Sequence, residues 1–182
     1  MKAIIFLLLL VVSSDCLAQS ALPFKKNSKW GIIDVEGNIV LAPTHDFIST
    51  FKKIGKEELA IFRTQGNTGL LDNTGKIRLS AIFEKIIITD NQKIVAWKDD
   101  KATLLDLNGK ELIPPKYDYI SDFHEEIFVL IDGEKYGIAN LKGDVLLEPS
   151  LDDIEHFSEK NPHVTRIQKA KKWGLINKKV KS

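Results

Sequence analysis

The sequence predicts an all-β protein, a tandem array of β-meander repeats with about four and a half units of 34–38 residues. Three observations predict this fold class. A step from an aromatic residue to glycine recurs at nearly fixed spacing, an Asp or Asn and a second glycine follow it at constant distances, and the intervening segments are rich in β-branched and aromatic residues. Periods of this length are typical of solenoids, propellers and other repeat arrays.

The anchor step begins each unit and sets the period. Its occurrences lie 38, 34, 34 and 37 residues apart, at Trp30-Gly31, Thr68-Gly69, Ala102-Thr103, Tyr136-Gly137 and Trp173-Gly174. The third unit lacks both anchor residues, and the second lacks the aromatic one. We expect the repeated aromatic residues to be buried against the neighbouring unit.

A hairpin turn is predicted after the anchor strand. The residue three places beyond the anchor glycine is Asp or Asn in every unit, at Asp34, Asp72, Asp106, Asn140 and Asn177. Three places further on stand Gly37, Gly75, Gly109 and Gly143. Because Asp and Asn bond nearby backbone amides and glycine accepts a left-handed conformation, this spacing predicts a type I turn followed by a bulge.

Three more strands complete the predicted unit. The strand that returns from the turn is predicted to end at a proline, since proline cannot donate to a ladder, at Pro43, Pro115 and Pro149. A short third strand follows around Ile48, Ile86, Ile120 and Ile154, and a fourth precedes the next anchor. Every change of length falls between the third and fourth strands, in residues 52–58 and 158–163 for example. We expect these variable loops to form the binding face.

The motif Lys29-Trp30-Gly31-Ile32-Ile33-Asp34 with Gly37 resembles the WG (KWG) repeat of bacterial proteins, and residues 172–177 match the same core. The resemblance covers about residues 22–180. A strict motif would miss the second and third units, which are expected to pack less tightly. The resemblance implies a β-repeat surface without catalytic residues and names no ligand.

The closure of the array is left open by the sequence. Leu22 and Phe24 fall where the fourth strand of a preceding unit would lie, so the chain reads as four units and a closing half. An open, superhelical array is favoured, because four and a half units make an awkward ring. A small propeller is the alternative, since a propeller blade also has four strands.

The first residues are typical of a secretory signal peptide, with Lys2, an apolar run and small residues before a cut after Ala18. We therefore predict a signal peptide at residues 1–18 and one domain at residues 19–182. The single cysteine, Cys16, would be discarded with the peptide. Its alternative role as a lipid attachment site is disfavoured by Asp15 just before it. The expected location is the periplasm, the outer envelope or the medium.

The charge is distributed unevenly along the chain. Between Asp118 and Glu159 stand twelve acidic residues and two lysines, whereas residues 160–182 carry seven lysines, one arginine and no acid. A solvated end is the ordinary meaning of such a basic run, and export argues against nucleic acid as its ligand. The two stretches also permit weak head-to-tail pairing of molecules that salt would weaken.

The residues that the repeat does not require are the candidate contacts. Trp97 has no aromatic counterpart in other units and would be a stacking platform if exposed. The candidate cations lie in the variable loops and near the end of the chain, at Lys52, Lys53, Lys56, Lys160, Lys171 and Lys172.

Signals for metal or catalysis are weak. The acids Asp46, Glu84, Asp118 and Asp152 share one repeat position and could form a calcium ladder, although turn capping by each carboxylate explains them better. His45, His124, His156 and His163 occupy unrelated positions, without zinc spacing. No catalytic, cofactor or metal residue is predicted.

The function predicted from the sequence is therefore that of an exported, non-catalytic interaction module, which binds a protein or a glycan at the bacterial cell envelope. A lectin-like ligand-binding protein or enzyme and a purely structural spacer are the alternatives.

Overall fold

The computed structural model describes residues 21–124, 127–155 and 164–177. These residues form nineteen β-strands and no helix, and the strands form five small antiparallel sheets. Sheet 1 contains β1 (Ala21–Lys26), β2 (Lys29–Asp34) and β3 (Ile39–His45). Sheet 2 contains β4 (Phe47–Ile48), β5 (Lys52–Ile54), β6 (Glu57–Thr64), β7 (Asn67–Asp72) and β8 (Ile77–Phe83).

The remaining sheets follow in chain order. Sheet 3 contains β9 (Lys85–Ile88), β10 (Ile94–Lys98), β11 (Lys101–Leu105) and β12 (Glu111–Tyr117). Sheet 4 contains β13 (Tyr119–His124), β14 (Ile127–Asp132), β15 (Lys135–Asn140) and β16 (Val145–Leu151). Sheet 5 contains β17 (Asp153–Ile154), β18 (Val164–Lys169) and β19 (Lys172–Asn177). Among the described residues, no helix is long and apolar enough to cross a bilayer.

Each complete sheet is a meander in which consecutive strands are neighbours, as in the order β13-β14-β15-β16. In sheets 2 to 5 the anchor step lies on the third strand of the meander, which is β7, β11, β15 or β19. Sheet 1 lacks the first strand, so its equivalent strand is β2, which is also called the third strand, with β3 as the fourth. A sequence repeat that begins at the anchor therefore supplies the last two strands of one sheet and the first two of the next. This offset links neighbouring sheets covalently in the middle of every repeat.

The five sheets stack in chain order, with an apolar core between each adjacent pair. Alternate residues of the third strand face opposite neighbours, because side chains alternate across a strand. Ile32, Leu70 and Leu104 face the following sheet and are fully buried, whereas Leu175, at the same position of sheet 5, is 73% exposed. Leu22 on the outer side of sheet 1 is 42% exposed. The array is therefore open, as predicted, and does not close into a barrel.

The predicted hairpin turn is present after the third strands. The side chain of Asp106 accepts hydrogen bonds from the backbone N–H groups of Asn108 (2.8 Å) and Lys110 (2.9 Å), and Asn140 accepts the equivalent pair. The turn glycines have φ values of 79–91°, at Gly37, Gly75, Gly109 and Gly143. The turns of sheets 2, 3 and 4 pack near the fourth strand of the sheet before them, as Gly143 does against Leu112.

The prediction that the strand returning from the turn ends at proline is wrong; in the sheets this strand is the fourth. β3 continues through Pro43 to His45, and β12 and β16 likewise run two residues beyond Pro115 and Pro149. These strands lie at sheet edges, where proline leaves no ladder bond unmade. A bulge also absorbs the proline, since Trp30 and Ile32 pair with His45 and Leu41 and the intervening residues of β3 have no direct partners.

Candidate functional site

A polar clamp recurs between sheets 1 and 2, between sheets 3 and 4, and between sheets 4 and 5. The acid that precedes the first strand binds the lysine at the start of the preceding sheet's third strand, with Lys29 Nζ 2.6 Å from Asp46 Oδ1 and Lys101 Nζ 2.6 Å from Asp118 Oδ1. The second carboxylate oxygen accepts from a hairpin turn in the following sheet, as Asp118 does from the N–H of Gly133 at 2.7 Å. One carboxylate thus holds two adjacent sheets in register.

The clamp explains why lysine precedes the tryptophan-glycine step. Lys135 binds Asp152 at 2.5 Å, and Asp152 also accepts from the N–H of Lys171. In the second unit Asn67 replaces the lysine, and Glu84 keeps only the turn bond, to the N–H of Asp99 at 2.9 Å. The four acids are therefore engaged in capping turns, and within the described ranges no three His, Cys, Asp or Glu side chains form a metal-binding group.

Low pH should weaken the clamps. Bonds from the lysine and then from the turn amide lower the pKa of Asp46, Asp118 and Asp152 below the ordinary 3.8. The folded state therefore binds these protons more weakly than the unfolded chain. The stability that the clamps supply is complete above pH 3.8 and is lost as pH falls through the lowered pKa values.

We expect Asp118→Asn to lower the melting temperature at pH 7 and to flatten its dependence on pH below 4, as measured by thermal unfolding. Asp144→Asn, at an exposed acid in a hairpin turn, is the control that keeps the clamps. Equal pH dependence of Asp118→Asn and the wild type would contradict this role.

The second and third units pack as tightly as the others, contrary to the expectation from their missing anchors. Thr68, Ala102 and Thr103 are each at most 2% exposed. Thr68 Oγ1 donates to the carbonyl oxygen of Glu84 at 3.2 Å, and Thr103 Oγ1 donates to that of Ile113 at 2.8 Å. Both hydroxyl groups are therefore hydrogen-bonded within the protein.

Trp97 does not provide a stacking platform, so this hypothesis is wrong. Its side chain is 9% exposed and belongs to the core between sheets 3 and 4. Its Nε1 donates to the carbonyl oxygen of Asp118 at 3.1 Å, its ring lies 5.1 Å from that of Tyr119, and Lys85 Nζ lies 4.9 Å from the ring centre. Because both the ring and its N–H have partners within the protein, no face is left for a sugar.

The burial of the repeated aromatic residues depends on whether another sheet follows their own. Trp30 and Tyr136 pack partly buried against the cores that follow their sheets. Trp173 is 45% exposed, and the guanidinium of Arg166 lies 4.4 Å from its ring centre. The expected burial of Trp173 is therefore wrong, because no described sheet follows its own.

The first predicted variable loop is itself a β-hairpin. Residues 52–54 form β5, which pairs with residues 57–59 of β6, and residues 55–56 form the turn. Lys52, Lys53 and Lys56 are exposed on it. Lys171 lies in a hairpin turn with φ 63°, and Lys172 is exposed at the start of β19. Lys160 lies outside the described residues, so the predicted cations do not form a single described cluster.

A row of clefts follows the first strands of sheets 2, 3 and 4. One, of about 410 Å³, lies between sheets 2 and 3 and is lined by Ser49, Thr50, Lys52, Leu59, Ile61, Ile86, Ile87 and Ile88. Another, of about 270 Å³, lies between sheets 3 and 4 and is lined in part by Thr89, Asp90, Tyr119, Ser121 and Asp122. This row is the candidate functional site. The spacing of the repeats in the sequence could not reveal these clefts, because they depend on how neighbouring sheets pack on one another.

His45 is a polar residue at an otherwise apolar position. The equivalent residues of the next three units are Phe83, Tyr117 and Leu151, all buried. The His45 ring lies 4.8 Å from Phe62, and its Nδ1 is inaccessible to water and has no hydrogen-bond partner among the described residues. Burial lowers the pKa of His45 below the ordinary 6.5, and nearby Asp46 opposes the shift.

We expect His45→Leu to stabilise the protein by about 1 kcal/mol, because an unsatisfied buried nitrogen is removed. A lowered pKa means that the unfolded chain protonates first, so wild-type stability falls as pH drops below 6.5. The variant should lose this part of the pH dependence in thermal unfolding at pH 7 and pH 5.5. A variant less stable than the wild type at both values would contradict the assignment.

The repeat pattern matches a known family over most of the chain. The model of the WG-containing repeat matches residues 30–67, 103–135 and 136–173. The chain belongs to the WG-containing repeat family. The match passes over residues 68–102, as expected for the second unit, but it includes the third unit, which lacks both anchor residues. A WG repeat is therefore recognised through its turn and strands as well as its anchor.

The WG-repeat array also matches solved structures at low sequence identity. A crystal structure of the eukaryotic initiation factor matches 87% of the chain at 10% identity and a TM-score of 0.46. Hsv2 of Kluyveromyces lactis matches 87% at 13% identity and a TM-score of 0.40, and KlHsv2 with loop 6CD replaced by a Gly-Ser linker matches 83% at 11% and 0.41. The chain spans 48–60% of the length of these structures. No curated protein matches the sequence significantly.

Proposed function

We propose that this WG-repeat protein is an exported, non-catalytic interaction module of a bacterial cell envelope, which binds a protein or glycan partner along the clefts beside its first strands. The row of clefts carries the proposal. It lies on a scaffold whose sheets are fixed to one another by apolar cores and by the lysine-carboxylate clamps. A surface held in this way can present several contacts in fixed register to one extended partner.

The proposal of a non-catalytic role is supported by the polar groups that recur with the repeat, because each of them is bound within the structure. Asp46, Asp118 and Asp152 are committed to lysines and turn amides, and Asp106 and Asn140 to the hairpin turns. Each of these groups is explained by local structure. The lectin-like alternative depended mainly on an exposed Trp97 and has lost that support.

Export is supported by the apolar segment and the small residues in positions 1–18. Expression of the full chain with a tag after Ser182, followed by fractionation and mass spectrometry of the amino terminus, tests it. We expect the tagged protein outside the cytoplasm, with Gln19 as its first residue. A cytoplasmic protein that keeps Met1 would contradict export.

Cross-linking in the native envelope, followed by mass spectrometry of captured molecules, tests the interaction. We expect a single saturable partner that is cross-linked through Lys52 or Lys53 beside the clefts. Capture only through Lys171 or Lys172 would place the interaction at the end of the array instead. If nothing is captured by any lysine, the interaction role fails and a structural spacer becomes the better description.

Self-association through opposite charges is a secondary part of the proposal. Clamp formation already neutralises part of the acidic stretch, because Lys101 and Lys135 bind Asp118 and Asp152 within one molecule. We therefore expect head-to-tail contacts to be weak and to vanish with added salt. Sedimentation velocity at low and high salt measures this, and a dimer that persists at high salt would show a different interface.

A further inference from the structure

The cleft between sheets 2 and 3 has the shape of an elongated groove beside the edge of β9. Its main part has a volume of about 410 Å³, and a second part of about 190 Å³ continues past Lys52 and Ile88, which line both. The floor is apolar, with Leu59 buried and Ile61, Ile87 and Ile88 half-buried. Ser49 and Thr50 provide hydroxyl groups at one end.

The strand that borders this groove has an open edge. Within the described ranges β9 pairs with β10 and with no other strand. The cleft between sheets 3 and 4 lies on its other side and shares Ile87, Ile88 and Thr89 with the groove. An edge strand presents unpaired N–H and C=O groups at alternate positions, and these groups form a template for one more strand.

The charges along the groove are mainly positive and unpaired. Lys52 and Lys53 line its second part, and Lys56 lies in the adjoining turn. In the described part of the chain, none of these three lysines takes part in an ion pair. Of the neighbouring acids, Glu57 is bound to Arg78 at 2.9 Å, and Glu58, the ladder partner of Lys53, accepts a hydrogen bond from Asn73. Asp90 is the acid that lines this part of the groove.

We propose that this groove binds an extended, acidic peptide segment of a partner protein, which adds as a strand beside β9. Apolar side chains at every second position of the peptide pack on Ile61 and Ile88, which face the core between sheets 2 and 3, because alternate side chains of a strand face one side. Acidic side chains beyond them meet Lys52 and Lys53. The inference rests on the proposed function as an interaction module and specifies its partner as a peptide rather than a glycan.

Strand addition predicts a different source of affinity from that of a simple charged patch. Backbone groups of the edge supply affinity that is independent of sequence, while the isoleucine floor and the lysines select the side chains. Asp90 lines the same part of the groove as the two lysines and would repel an acid placed next to it. The peptide is therefore expected to carry its acids at one end only, next to β5.

Selection of a phage-displayed random octapeptide library on the protein with residues 19–182 tests the proposal. We expect enrichment of sequences in which two alternating β-branched or aliphatic residues are followed by Asp or Glu. Fluorescence anisotropy of the enriched peptide then measures affinity. The double variant Lys52→Glu/Lys53→Glu should lose about tenfold or more in affinity.

Two controls distinguish strand addition from nonspecific electrostatic attraction between the peptide and the protein. The variant Lys76→Glu/Lys110→Glu makes the same change of charge at exposed turn lysines away from the groove, and it should bind the peptide like the wild type. Methylation of alternate backbone nitrogens of the peptide should abolish binding in one register and leave it in the other, because only one set of amides faces β9.

Enrichment of peptides without acids, equal loss of affinity in both double variants, or tolerance of methylation in both registers would each overturn the proposal. A library that yields no binder would overturn it as well. The proposed function is judged separately, since envelope cross-linking through lysines outside the groove would keep the interaction role while this site fails.

Discussion

Replacing Gly143 by valine is expected to destabilise the protein by about 3 to 5 kcal/mol, because two costs add at this position. The glycine has φ +91°, a conformation that a β-branched residue adopts only with strain. A Cβ atom there would also lie 2.5 Å from the carbonyl oxygen of Leu112 in the preceding sheet. Since that atom belongs to the backbone, the two sheets would have to separate. Urea unfolding of the wild type and the variant measures the difference.

Gly37→Val is the matched control. Its glycine occupies the same turn position with φ +88°, but no described atom lies within 4 Å of the Cβ position. It should therefore carry the backbone strain alone, about 1 to 2 kcal/mol. Equal losses in the two variants would show that the turn does not support the packing of sheet 4 on sheet 3.

Gly137→Ala should cost about 3 kcal/mol, although alanine is ordinarily favourable relative to glycine. The residue has no positive φ, so the cost is purely one of space. A Cβ atom would lie 2.6 Å from the carbonyl oxygen of Leu147 and 2.7 Å from the nitrogen of Pro149. The bulge that admits the proline brings the backbone of β16 over this glycine, which explains why the anchor pairs a glycine with a downstream proline.

The control for this prediction is Gly174→Ala. The position is equivalent, but no described atom lies within 4 Å of its Cβ. Its effect should stay within about 0.5 kcal/mol. A loss as large as that of Gly137→Ala would mean that β19 is covered in solution. Gly137→Thr should be less harmful than Gly137→Val, because Thr103 shows how a hydroxyl group can bond the nearby carbonyl oxygen.

The repeat was accessible from sequence because its parts are local. An Asp or Asn with a glycine three places on defines a turn by itself, and the turn bonds of Asp106 and Asn140 follow from that spacing. These features depend on residues a few places apart, so single-chain patterns carry them.

The errors share one cause, which is contact between residues far apart in sequence. Pro43 was expected to end a strand, but an edge position and a bulge accommodate it. Trp97 was expected to be exposed if it bound a ligand, yet sheet 4 covers it. Trp173 was expected to be buried like its counterparts, and it is exposed because no described sheet follows. The spacing of the repeats cannot show whether a neighbouring sheet covers a given position.

The sequence by itself determined the repeat, its turns and the all-β class, because turn conformation is set by residues a few places apart. Only the tertiary structure decided that each sequence repeat contributes strands to two adjacent sheets. It also decided that Lys29 and Asp46 clamp adjacent sheets and that clefts open beside β9. Those features depend on how one sheet lies on the next, and that geometry is a property of packing between residues distant in the chain.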